Sequence, residues 1–100
     1  MPISDSNKKF LEDLLEYYIN ESESYTQFAE EYSEFIKSDT DMAFGLIVGS
    51  LYSTFLQTYS NQQLQIELDD IQEFHEFIKL NSEKIKKALE NPLANMRGGK

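Results

Sequence analysis

Apolar residues recur along this chain at helical spacing. Over residues 4–37, Leu11, Leu15, Tyr18, Ser22, Tyr25, Ala29, Tyr32 and Ile36 alternate steps of four and three, which lines them up on one stripe. Phe10, Leu14, Phe28 and Phe35 widen the stripe, and Glu12, Glu16, Glu23, Glu30 and Glu34 fall opposite it. Ser4 or Asp5 supplies a short side-chain oxygen to cap the first turn. The spacing predicts a helix over about 5–37, roughly 50 Å long if unbroken. The polar run Asn20-Glu21-Ser22-Glu23-Ser24 is its weakest point and the natural place for a bend.

Ser38-Asp39-Thr40-Asp41 is the clearest turn, rich in capping residues and followed by an apolar run. A second helix is expected over about 41–60. Its Met42, Phe44, Leu46, Ile47, Val48, Leu51, Tyr52, Phe55 and Leu56 cover nearly the whole helical circumference, the mark of a central helix or a membrane-embedded one. Ser60-Asn61 is a softer break, without glycine or proline to enforce it. The third helix is expected over about 62–90. There Leu64, Leu68, Ile71, His75, Ile78, Ser82, Ile85 and Leu89 repeat the four-three spacing, with a kink or new turn at Asn81-Ser82. Asn91-Pro92 ends it, because proline lacks an amide hydrogen and restricts its predecessor.

Turn punctuation of the kind strands need is almost absent. The pattern therefore predicts an all-α chain, an antiparallel three-helix bundle with the second helix at its centre. Residues 1–91 form a single helical domain and residues 92–100, with Gly98-Gly99, a flexible C-terminal tail. Long outer helices on a chain of 100 residues leave apolar surface near the ends, which favours association into a helical homodimer.

Charge sharpens the picture. The 18 acidic and 9 basic residues leave a net charge of −9, which repels phosphate backbones and disfavours direct nucleic-acid binding. The charge is sorted by segment: residues 1–41 hold eleven acids and three bases, residues 42–66 none, and residues 79–100 six bases and two acids. The uncharged run is long enough to span a bilayer, but Gln57, Thr58, Ser60, Asn61, Gln62, Gln63 and Gln65 are too polar for hydrocarbon, so a membrane span is not expected. Cysteine is absent, and no basic region precedes an apolar run at the N-terminus. Both fit a cytoplasmic protein.

No residue constellation carries enzyme chemistry, so an enzyme is not expected. The single histidine, His75, falls in the apolar seam, and position 72 is Gln where a di-iron bundle repeats Glu-x-x-His. It reads as a buried or boundary polar residue, not a metal ligand. Glu12 with Glu16, Glu30 with Glu34, and Asp69, Asp70 and Glu73 lie on expected polar faces, where carboxylates stay solvated. No loop has the alternating ligands and central glycine of a calcium site, and Gly45 and Gly49 fall inside a helix, not in a phosphate-binding loop. Neither metal nor cofactor is expected.

Two features point to contact with protein. Gly45, Gly49 and Ser53 are spaced by four and share one helical face. Each interior glycine costs about 1 kcal/mol relative to alanine, so the pair implies a packing reason, either a tight crossing within the chain or a self-association face. Tyr18, Tyr25 and Tyr32 recur every seven residues in a seam where a closed core would favour Leu or Ile. Tyrosine suits a seam that reaches water or a partner, and with Phe28 and Phe35 these residues outline a candidate partner surface. The expected function is a non-enzymatic protein–protein interaction or adaptor module that self-associates. The alternatives are an acidic nucleic-acid mimic that inhibits a basic DNA- or RNA-binding protein, and a small subunit of a larger complex.

Overall fold

A computed structural model of the chain describes residues 3–90, and the expected tail at 92–100 lies outside them. The described residues are all-helical and contain no strand. Among the described residues there are five α-helices where the spacing predicts three: α1 Asp5–Asn20, α2 Ser22–Glu30, α3 Asp39–Asn61, α4 Leu68–Leu80 and α5 Ser82–Glu90, with one 3-10 turn at Ser33–Phe35.

The expected helix over 5–37 breaks at Glu21, inside the polar run, and ends at Glu30. An unbroken helix of that length would overrun the molecule, whose longest principal extent is 39 Å. The seam differs too. The buried residues of α1 are Asn7, Leu11, Leu15 and Ile19, a strict step of four, so Ile19 takes the core position expected for Tyr18. Ser4 caps this helix, its Oγ accepting from the Asn7 amide at 3.1 Å. After the break α2 buries Ser22 and Ala29, two small residues that let it lie close on α3, its most extensive neighbour.

The step of four also governs α3. Ala43, Ile47, Leu51, Phe55 and Tyr59 are its buried residues. At 3.6 residues per turn each such step advances about 40° beyond a full turn, so the buried line winds about 160° around the helix from Ala43 to Tyr59. A winding apolar face projects onto every side of a straight wheel, which is why the sequence reads as apolar all round. In the structure α3 is half-wrapped: α1, α2 and α5 pack on it, while Gly45, Gly49, Ser53 and Gln57 form an exposed line. Rows at steps of four are the ridges that interdigitate when helices cross steeply, at about −50°, not the heptad seam of near-parallel helices.

The third expected helix starts at Leu68, not at 62, and breaks at Asn81, so it is two helices. Residues 62–67 are a non-helical link. Its first residues close α3: the Gln63 amide donates to the Ser60 carbonyl at 3.0 Å and the Leu64 amide to the Tyr59 carbonyl at 3.0 Å. This is a Schellman cap, with Gln63 at φ 58° in the left-handed region that usually belongs to glycine. Gln62 also exchanges two amide hydrogen bonds with the buried Asn7, at 3.1 and 3.0 Å, which tie the end of α3 to the start of α1. Because the link resets helical phase, Leu64 and Leu68 are exposed and α4 turns Asp70, Phe74, Phe77 and Ile78 inward. His75 is exposed, not in a seam as its spacing implied, and its ring lies beside that of Tyr52, centroids 6.2 Å apart. Phe74 joins α4 to the core, its ring 5.0 Å from Phe55 and 5.2 Å from Tyr52.

Candidate functional site

The break at Glu21 sets up the most distinctive surface feature. Tyr18 at the end of α1 and Tyr25 in α2 meet across it edge-to-face, ring centroids 5.6 Å apart, and Tyr17 extends the row at 5.5 Å from Tyr18. Edge-to-face geometry is favourable for such rings, so the Tyr18–Tyr25 contact adds to the packing across the bend. Tyr25 is half-buried. Burial pushes its hydroxyl above the ordinary range, helped by Tyr18, Tyr17 and the Glu21 carboxylate, while a hydrogen bond from the Ser50 side chain pulls the other way.

Tyr18 faces the exposed line of α3. Together with Gly45, Leu46, Gly49, Ser50, Ser53 and Thr54 it lines a groove of about 420 Å³. Two features the sequence suggests separately, the small residues of the second helix and Tyr18 of the first, thus belong to one concave surface, while Tyr25 lies outside its lining. A Cβ added at Gly45 or Gly49 would meet nothing within 4 Å among the described residues, apart from the helix's own backbone. No close crossing of described elements uses these glycines. Among the described residues nothing covers the groove, and every lining residue is uncharged.

The rest of the expected tyrosine surface is divided. Phe28 and Tyr32 pair, ring centroids 5.4 Å apart, on the exposed side of α2 and the turn after it. Phe35, at 80% exposure, stands on the 3-10 turn. None of these three lines the groove.

A larger depression of about 600 Å³ is lined by Tyr59, Leu64, Gln65, Glu67, Leu68, Asp69 and Asp70. Asp70 is only 3% exposed, which overturns its expected place on a solvated face. Its carboxylate has a structural task. It accepts from the Glu67 amide at 2.8 Å in a capping box at the start of α4, and it holds the Tyr59 hydroxyl. The signal that would have found it is the Glu67-x-x-Asp70 spacing, hidden by starting the helix at 62. Tyr59 responds: burial first, then the Asp70 carboxylate, push its hydroxyl up to about 12. Glu12, Glu16, Glu30, Glu34 and Asp69 are exposed. Among the described residues no three His, Asp or Glu side chains are gathered as metal ligands would be, and no helix is long and apolar enough to cross a membrane. No family model, curated protein or solved structure matches this chain.

Proposed function

We propose that the chain is a non-enzymatic protein-interaction or adaptor module acting in the cytoplasm, and that the Tyr18–Gly49 groove is its docking surface. The observation that carries this reading is the pair of interior-helix glycines facing open space beneath a tyrosine wall. Glycine there weakens α3 by about 1 kcal/mol per position, and no described neighbour requires it. A surface that lets a partner backbone come close supplies the missing reason. The fold then serves as a scaffold, read as three bent arms packed antiparallel, that presents one face of α3. The same geometry suits a small subunit seated in a larger complex through this groove.

The test is paired capture. The wild-type chain and a Gly49→Leu chain, both immobilised, are exposed to native lysate and the retained proteins identified. A protein held by the first and lost by the second is expected. If both chains retain the same set, or neither retains any, the reading fails. Self-association is a separate expectation: sedimentation of the chain alone at two concentrations should show dimer if a second copy fills the groove, and monomer at both excludes it.

Mimicry of nucleic acid remains the second reading, on one observation. Residues 10–36 carry eight acids and no lysine or arginine. A mimic engages a basic protein through carboxylates alone, so its binding would survive Gly49→Leu and vanish when Glu12, Glu16, Glu30 and Glu34 are changed to glutamine.

A further inference from the structure

We infer that the groove receives a cationic amphipathic helix of a partner protein; this rests on the interaction reading above and specifies the occupant. The first argument is the form of the floor. Gly45, Gly49 and Ser53 lie on a continuous helix whose backbone groups are already paired, so no free strand edge is offered to an extended peptide. What the floor offers is a shallow channel about 12 Å long, two helical turns, bounded by Tyr18 on one side and Leu46 and Thr54 along it. Such a channel accepts a ridge of small or apolar residues from another helix, laid down at steps of three and four.

The second argument is charge. The lining is uncharged, and acids stand at its margins. Glu21 caps the end of α1 three residues after Tyr18, and Asp41 holds the exposed line of α3 one turn before Gly45. Between Lys9 and Lys79 the sequence holds a single lysine or arginine, Lys37. Two lysines of α5 are engaged elsewhere, Lys84 with Glu16 and Lys86 over the Phe44 ring, 5.8 Å from its centroid. An uncharged channel with acidic margins is complemented by an apolar ridge flanked by lysine or arginine. A second copy fits less well, because it brings the same acidic margins into the contact.

Two synthetic helical peptides test this, sharing one Leu/Ala face and differing only in lysine or glutamate flanks. Each is titrated into the full ¹⁵N-labelled chain, and the Gly45 and Gly49 amide resonances are followed. The lysine peptide should shift both amides, with affinity falling about tenfold or more from low to high salt as the charges are screened. The glutamate peptide should leave them in place. Gly49→Leu should abolish lysine-peptide binding, and circular dichroism should show the helical fold retained, since the new side chain enters open space. Gly49→Ala should raise the melting temperature while weakening binding several-fold. Replacing Glu21 and Asp41 together with lysine should reverse the preference to the glutamate peptide. Equal binding of both peptides, binding that survives Gly49→Leu, or no shift with the lysine peptide each overturns the inference. None of these results touches the lysate comparison, so a partner that still depends on Gly49 there would leave the interaction reading standing without this occupant. Amide shifts produced by concentrating the chain alone would assign the groove to a second copy and overturn it as well.

Discussion

Tyr59 and Asp70 form a buried pair in which one proton matters. Tyr59 is 5% exposed at the end of α3, and its hydroxyl is pushed up to about 12 from an ordinary 10.0 by burial and by the Asp70 carboxylate. The folded state therefore favours the neutral phenol. A raised folded value contributes stability that is whole below pH 10.0 and is lost as pH rises toward 12. The wild-type urea midpoint should fall across that window, and Tyr59→Phe should flatten this part of the slope. At neutral pH the same variant should cost about 1–3 kcal/mol, because the buried carboxylate loses a donor. Equal alkaline slopes in the two chains would show that Tyr59 does not titrate as argued. The pair was not legible in the sequence, where Asp70 looked like one more surface acid. Its burial depends on where α4 begins: a helix started at 62 runs six residues too early and carries the phase of Leu64 across a link that resets it, which leaves Asp70 on the outside.

Helix ends decide how much of each element the sequence could reveal. The turn before α3 was plain in Ser38-Asp39-Thr40-Asp41, though the helix begins at Asp39 and not at 41, with Ser38 as its cap, accepting from the Asp41 amide at 3.0 Å. The end of α3 was not, because the cap residue is Gln63 and carries no glycine signature. A left-handed residue with a side chain costs about 1–2 kcal/mol, of which glycine's greater unfolded-state freedom takes back about 0.5–1. Gln63→Gly should therefore raise stability by about 0.5–1 kcal/mol in urea unfolding, with the helix content unchanged. A loss of stability would mean the Gln63 side chain contributes more than its backbone costs. The four-three seam expected for the first helix gives way in α1 to a strict step of four, and α3, expected to be apolar all round, buries a step of four as well. That difference moved Tyr18 out of the core and onto the groove wall. It also exposed Gly45 and Gly49 on a helix expected to be enclosed. The candidate site was thus legible as residues, Tyr18, Gly45, Gly49 and Ser53, but not as one surface: the polar run marks the bend at Glu21, whereas the packing of α1 on α3 that sets Tyr18 beside the glycines is a tertiary event.

At the scale of the molecule, the same charge acts on folding and on binding with opposite signs. A net charge of −9 on a body 39 × 33 × 22 Å across places acids within a few Debye lengths of one another, and their repulsion opposes compaction. Against this stand three described ion pairs, Lys8 with Glu73, Lys9 with Asp13 and Lys84 with Glu16. The second is an exposed pair one turn apart on α1, where solvent screens most of the attraction. Such pairs are too few to outweigh the surplus, so screening should relieve more repulsion than it removes attraction. The melting temperature of the chain alone should rise as sodium chloride is added from low to moderate concentration. A fall would mean that local pairs, not the overall surplus, dominate the electrostatics, and would weaken the case for a cationic occupant. If it rises, salt stabilises the free chain while loosening its complex with a lysine-flanked helix. A partner that binds by folding stabilisation alone would not separate these two slopes, whereas one steered by the acidic margins of the groove must.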